Sequence, residues 1–260
     1  MTVNVTHDLV TKIRALALKS GGEIMKIYES KFDVETKADA SPVTRADRLA
    51  ETIILQGIRR DVSERFPIVA EEEAAGGNLP DVSHGPFWLV DPLDGTKQFI
   101  KHDPEFTVNI ALIDGGRPVL GAVFAPAHRQ LYFGSALGAY VETDGGEARR
   151  IACKPVPRKG VTVAVSSSHR SAEDDAFLAK LDVKKTISAG SSLKFCLVAE
   201  GKADVYPRFG TTMEWDTAAG HAVLRFAGGR MTHVDGSEFF YNKPDFRNPH
   251  FIAWGAEPNT

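Results

Sequence analysis

Asp91 and Asp94 stand three residues apart in the stretch Asp91-Pro92-Leu93-Asp94-Gly95-Thr96. With Pro between them and Gly-Thr behind, the stretch cannot be a regular helix: Pro92 has no N–H to donate and Gly95 supplies a permissive backbone. The apolar run Phe87-Trp88-Leu89-Val90 ahead of them reads as a buried strand. A strand therefore ends, and two acids project from the turn at its tip, where rigid scaffolds present chemistry. Carboxylates this close repel each other unless a hard divalent cation neutralises them.

Three more acids are candidates for the same site: Asp47 on a helix, Glu71 at the end of a short strand, and Asp216 in Trp215-Asp216-Thr217-Ala218-Ala219-Gly220, which opens the last long helix. Oxygen donors without a His or Cys cluster point to Mg²⁺ rather than zinc, and Mg²⁺ is the usual partner of phosphate oxygens. Gly95 and Thr96 offer backbone N–H groups at the start of a helical turn through Phe99 and Ile100, a ready anion site. Each acid also has a plainer reading. Asp47 lies three residues after Thr44 and fits a capping pair. Asp216 fits a helix N-cap, Glu71 to Glu73 a solvated loop, and the Asp-Gly pair an ordinary turn. These plain readings are independent and would all have to hold together.

The positioning elements follow from periodicity. From Leu9, apolar residues at Ile13, Leu16, Ala17, Ile24 and Ile27 predict an amphipathic helix over roughly the first thirty residues. Ala46, Leu49, Ala50, Ile53, Ile54 and Ile58 predict a second. Pro67 to Ala70 reads as a strand, and Phe106 to Ile113 with Val119 to Phe124 as a hairpin around Asp114-Gly115-Gly116. Tyr132 and Phe133 suggest a further strand. A polar stretch with Gly145, Gly146 and Pro155 to Gly160 marks a seam. It divides an α+β lobe, 1–150, that carries most of the candidate ligands from a second lobe, 151–260. The second lobe alternates strand and helix in α/β fashion, and the two are expected to act as one functional unit.

Composition narrows the class. The chain has 260 residues, 43% hydrophobic and 25% charged, with a net charge of −3 from 31 basic and 34 acidic residues. That balance argues against a nucleic-acid surface built on phosphate neutralisation. Cys153 and Cys196 form no CxxC pair, which argues against structural zinc and for a reducing, cytoplasmic setting. There is no signal-peptide pattern and no apolar run near the ~20 residues that span a bilayer; attachment at the inner face of a membrane stays open.

Two signatures, Trp88-Leu89-Val90-Asp91-Pro92-Leu93-Asp94-Gly95-Thr96 and Trp215 to Gly220, with Glu71 upstream, resemble the inositol monophosphatase superfamily. Within it the chain most resembles 3′(2′),5′-bisphosphate nucleotidases of the CysQ type. The carrying blocks are Lys37 to Thr44, Gly95 to Lys101, Gly190 to Gly201 and Tyr206 to Phe209. The haloacid-dehalogenase phosphatases also carry paired acids before a Thr, but two apart rather than three. The resemblance implies a layered αβαβα sandwich and a Mg²⁺-dependent, lithium-sensitive phosphomonoesterase of sulfur metabolism. Its expected reaction removes the 3′-phosphate of 3′-phosphoadenosine 5′-phosphate, giving AMP, by metal-activated water.

Glu71, Asp91, Asp94 and Asp216 would ligate metal through side chains and Leu93 through its carbonyl, with Asp47 and Thr96 orienting the water. Leu93, Asp94, Gly95, Thr96 and Asp216 would also meet the scissile phosphate. His169, Ser191, Lys194 and Arg208 match nucleotide contacts. Gln98 departs from the Glu that many of these nucleotidases carry there, which bears on substrate detail. On residue type alone Lys194 and Arg208 are solvated surface. An inositol monophosphatase or fructose-1,6-bisphosphatase activity, or a catalytically silent nucleotide-binding protein, remain the alternatives; the last would be expected to have lost an acid.

Overall fold

The computed structural model describes residues 3–37, 41–166 and 171–258. Helix α1 (His7–Tyr28) starts where the Thr6 side chain accepts the Leu9 N–H, and it buries Val10, Ile13, Leu16, Ala17 and Ile24 on one face. A small hairpin, β1 (Val34–Thr36) and β2 (Pro42–Thr44), leads into α2 (Arg45–Gly57). Then come β3 (Ile68–Ala70), the short α3 (Glu71–Ala75), β4 (Phe87–Asp94) and the short α4 (Thr96–Ile100). An antiparallel run follows: β5 (Thr107–Asp114), β6 (Arg117–Ala125), β7 (Gln130–Ser135), β8 (Gly138–Thr143) and β9 (Arg149–Arg150).

The remainder is β10 (Val161–Ser166), α5 (Ala172–Leu178), β11 (Val183–Ala189), α6 (Leu193–Ala199), β12 (Val205–Arg208) and β13 (Thr212–Met213). It closes with α7 (Glu214–Phe226), β14 (Arg230–His233), β15 (Arg247–Asn248) and β16 (Phe251–Trp254).

Strands β3 to β9 form one seven-stranded sheet in chain order; only β3 and β4 are parallel. Strand β5 is apolar on both sides, because both sides are covered. Val108, Ile110 and Leu112 pack with α1 and α2 residues, while Ala111 and Ile113 belong to the core that includes Ala218, Ala219 and Val223 of α7. That second core continues through Phe195 and Cys196 of α6 to Tyr206 and Phe251 on a five-stranded sheet, ordered β11-β10-β12-β16-β14. Leu178 of α5 packs with Val161 and Val163 on its outer side. The layers are thus αβαβα, as expected. No helix among the described residues is long and apolar enough to cross a membrane.

Three expectations change. Strand β4 does not end before its acids: it runs through Asp94, with Asp91 opposite Asn109 and Asp94 opposite Thr107. Three steps on β4 oppose two on β5, a bulge that accommodates Pro92 and re-aims the side chains. Glu71 to Glu73 open a helix instead of a solvated loop. The second half is only partly of parallel α/β type, since β16, unread in the sequence, is antiparallel to both β12 and β14. The chain leaves the first sheet at Arg150 and enters the second at Val161, yet α7 returns to pack on the first.

Helix α7 can lie this close because Gly121 and Gly134 face each other across β6 and β7. A Cβ at Gly121 would stand 2.6 Å from the Ala219 carbonyl oxygen, and one at Gly134 2.8 Å from Val223 Cα. Both obstacles are backbone and cannot swing aside. Gly134→Val is expected to lower unfolding free energy by about 1–3 kcal/mol, read from the urea midpoint; an unchanged midpoint would mean that α7 is free to lift.

Candidate active site

The bulge in β4 organises the site. Asp91 is buried, and its Oδ1 accepts the Leu93 N–H at 3.0 Å, which locks the Pro92 corner. Asp47, the third residue of α2, divides its two oxygens. Oδ2 accepts both the N–H and the hydroxyl of Thr44, at 2.8 and 2.7 Å, and Oδ1 accepts the Thr96 hydroxyl at 2.9 Å. The capping reading and the functional reading of Asp47 are therefore both true, one on each oxygen. The Thr96 hydroxyl also lies 3.2 Å from the Leu93 carbonyl.

Gly95 turns the chain at φ 95°, the left-handed region. A side chain there would collide with Ser191, whose Oγ would stand 2.5 Å from the added Cβ. Ser191 Oγ lies 2.8 Å from the Asp94 carbonyl and 2.9 Å from that of Glu105. Its neighbour Ser192 donates to the Asp216 carbonyl at 2.9 Å and stands 3.3 Å from Asp94 Oδ2. This pair of serines fastens β4 to the first turn of α7. Asp216 is the third residue of α7, not its N-cap, and its Oδ2 accepts the Met213 N–H at 2.8 Å.

A cleft of about 220 Å³ brings eight of the predicted residues together. Glu71, Asp94, Gly95, Thr96, Ser191, Lys194, Arg208 and Asp216 line it; Asp91 does not, and Asp47 and Leu93 are tied to it through the Thr96 hydroxyl. Burial, then the charges of Glu71, Asp94 and Asp216, raise the Asp91 carboxyl well above the usual range. Asp216 is raised in the same way, by burial and then Asp94. Asp94 is raised by burial too, with Lys194 pulling the other way. As the side chains lie, no three His, Cys, Asp or Glu among the described residues close around a common point tightly enough to hold an ion. Lys37 stands at one side of the acids: its ammonium pairs with Glu71 at 2.7 Å and with Glu72. Although burial opposes its charge, these two acids hold its pKa above the usual lysine value.

The cationic side of the cleft is not solvated surface. Lys194 is 4% exposed, with its ammonium 2.7 Å from the Ser191 carbonyl and 3.1 Å from that of Ala189. Burial lowers its pKa to about 8, against the pull of Asp94. Arg208 contacts the Thr211 carbonyl only weakly, at 3.5 Å, and its buried Nε has no hydrogen-bond partner among the described residues. His169 lies outside the described residues. Sequence reasoning missed the site roles of Lys37 and Ser192, although both sit inside the motif blocks that carried the resemblance. It also missed Glu51, which accepts the N–H groups of Glu72 and Glu73 at 2.8 and 3.0 Å and so holds the helix that carries Glu71.

The raised carboxyls make stability depend on pH. Their folded pKa values exceed the unfolded value, so the stability they confer is present below about pH 4 and is lost as pH rises through the folded values. In chelator, the urea midpoint is expected to fall from about pH 4 toward neutrality, and Asp91→Asn to reduce that fall. Identical profiles for the two proteins would mean that Asp91 carries no such burden.

Comparison with known proteins is consistent with this geometry. Residues 6–257 match the model of the inositol monophosphatase family. The 3′(2′),5′-bisphosphate nucleotidase CysQ of Escherichia coli K12 is 44% identical over 246 residues, 94% of this chain and 98% of that protein. The crystal structure of CysQ from Bacteroides thetaiotaomicron superposes with a TM-score of 0.80 at 38% identity, covering 97% of this chain and 99% of that one. An inositol monophosphatase from Anabaena, at 24% identity and TM-score 0.75 over 95% of this chain and 90% of its own, shares the fold.

Proposed function

The chain belongs to the inositol monophosphatase family, and on that premise we propose that it is a Mg²⁺-dependent 3′(2′),5′-bisphosphate nucleotidase. It converts 3′-phosphoadenosine 5′-phosphate to AMP and phosphate. The observation that carries the substrate choice is the pairing of Lys194 and Arg208 with the acids in one cleft. A substrate with a second phosphate has something to offer those cations; an inositol monophosphate does not. The similarity to CysQ proteins supports the same choice.

The donor set fits Mg²⁺. Every candidate ligand is oxygen, from Glu71, Asp91, Asp94, Asp216 and the Leu93 carbonyl, and the mutual repulsion of the buried acids is what a divalent cation relieves. When bound, Mg²⁺ lowers the pKa of water and screens phosphate charge. The protein's own share is position. The Thr96 hydroxyl can donate its hydrogen bond to Asp47 Oδ1 and so keep lone pairs to accept from an attacking water. Asp47 is held in place for this by its cap on Thr44. The Gly95 and Thr96 N–H groups are assigned to the scissile phosphate.

Lys194 spends two of its three donors on carbonyls and keeps one for the substrate. Arg208 Nε is a buried donor waiting for an acceptor. Ser191 has one proton between two carbonyls, so it offers a ligand only acceptor capacity. Nothing in the described cleft replaces the water by a protein nucleophile, and no acid of the set is missing, which disfavours a silent binding protein.

The deciding experiment is phosphate release from 3′-phosphoadenosine 5′-phosphate, inositol 1-phosphate and fructose 1,6-bisphosphate, with Mg²⁺ and with chelator. The adenosine bisphosphate is expected to be hydrolysed best, and only with Mg²⁺; preference for inositol 1-phosphate overturns the substrate assignment. Asp91→Asn and Asp216→Asn are expected to lower kcat by about 10²-fold or more without unfolding the protein.

Arg208→Ala is expected to raise KM for the bisphosphate about tenfold or more and to leave inositol 1-phosphate little changed; equal effects on both remove the basis for nucleotide selectivity. Because the Lys194 ammonium discharges near pH 8, kcat/KM for the bisphosphate is expected to decline above that pH, and Lys194→Met to abolish the inflection.

A further inference from the structure

A second cavity, of about 440 Å³, lies at the opposite end of α7 from Asp216. Arg117 at the start of β6, Arg225 in the last turn of α7 and Arg230 at the start of β14 converge on it. Two of these cations are answered by acids at the exposed rim. Arg117 Nη2 stands 2.7 Å from Glu238, and Arg230 Nη1 3.8 Å from Glu257. Arg225 makes no direct ion pair among the described residues, and Glu238 attracts it only from beyond contact distance. Its Nη1 donates to the Pro118 carbonyl at 2.9 Å, and a guanidinium carries five such N–H groups. Burial and the neighbouring Arg117 depress its pKa, and the attraction of Glu238 offsets only part of that.

A neutral polar group completes the lining. His221, one helical turn before Arg225, is 7% exposed and borders the same cavity. Its Nδ1 lies 3.1 Å from the Tyr241 hydroxyl, and its other nitrogen has no protein partner among the described residues. Burial and the charges of Arg225 and Lys243 push its pKa down to about 3, so it stays uncharged. A cationic ligand would add to the charge of Arg225, which Glu238 answers only in part, and an apolar one would bury it further. An oxyanion matches both its charge and the planar fork of its donors.

We propose that this cavity is a second ligand site, separate from the catalytic cleft, for a small phosphate-type oxyanion held by Arg225 with Arg117 and Arg230 beside it. The site does not rest on the proposed reaction. Free phosphate and the phosphate of a small organic monoester share the required chemistry, and Phe239 and Met231 in the wall favour the monoester if its organic part is apolar. Occupancy has a reporter as well: Tyr241 joins His221 to Thr217, whose Oγ1 lies 3.3 Å from the tyrosine hydroxyl and which borders the catalytic cleft.

The test is NMR of the His221 ring in the full-length protein, titrated with inorganic phosphate and, separately, with AMP. A saturable shift is expected, retained in Arg208→Met in chelator, where the metal and the guanidinium assigned to anions in the catalytic cleft are both removed, and weakened about tenfold or more in Arg225→Met. The exposed Arg230→Gln, which puts no folding at risk, is expected to weaken it in the same direction and serves if Arg225→Met does not fold. Tighter binding of AMP than of phosphate identifies a monoester site, and equal binding a site for free phosphate. The proposal is overturned if no shift occurs, if Arg225→Met and Arg230→Gln bind like the parent, or if the shift disappears in Arg208→Met in chelator, which would make it a relay from the catalytic cleft.

Discussion

The structure depends on repulsion between carboxylates that the backbone forces together. Asp91 and Asp94 are three residues apart on a bulged strand, and Glu71 follows directly on the end of the strand beside it, placed there by the parallel pairing of β3 with β4. Asp216 is delivered from the other half of the chain by α7. Burial raises each of the three aspartates, and each is raised further by its neighbours. A fold gains nothing from this arrangement by itself, since uncompensated buried charge is destabilising. The bulge, the serine staples and Lys37 are what keep it assembled.

Cations in the protein meet that field in two ways. Lys37 pairs directly with Glu71 and Glu72 at one side of the acids. Lys194 approaches from the other side but is anchored on carbonyl oxygens rather than on a carboxylate. The difference matters for function. A lysine paired to an acid is spent, whereas one held by neutral acceptors keeps, while protonated, a charge that no direct ion pair cancels and a donor for a ligand. Arg208, with a buried Nε that nothing among the described residues answers, is in the same condition. The cleft therefore has an acidic end that wants a cation and a basic end that wants an anion, which is the polarity of a metal-assisted phosphate site.

Much of this was legible in the sequence, and the exceptions have physical reasons. Helix α1, helix α2 and the β5–β6 hairpin follow from periodicity and from the Asp114-Gly115-Gly116 turn, because these are local properties of contiguous residues. The acids of the site were legible as residue types in unusual local settings, Pro92 and Gly95 above all. Lys37 was not legible as their counter-charge, because its partners lie 34 and 35 positions away. The burial of Lys194 was hidden for a related reason: residue type predicts solvent, and only the packing of α6 against α7 reverses that. Strand β16 went unread because four apolar residues near the end of the chain carry no period of their own; its antiparallel place between β12 and β14 is a tertiary fact.

Helix α7 shows how one packing constraint reaches both ends of the molecule. Its height over the first sheet is set by two facing glycines and by the alanines it presents to them. A helix is stiff over 13 residues, so fixing its middle fixes its ends. At the first turn this sets where Asp216 meets Asp94 and the Ser192 staple; at the last turn it sets where Arg225 enters the second cavity. Moving the helix outward by the width of a methyl group would displace the carboxylate and the guanidinium together. The glycine pair is thus a geometric requirement of the acidic site although it touches none of the acids. Conversely, anything that binds Arg225 acts on an element whose other end is part of the catalytic wall.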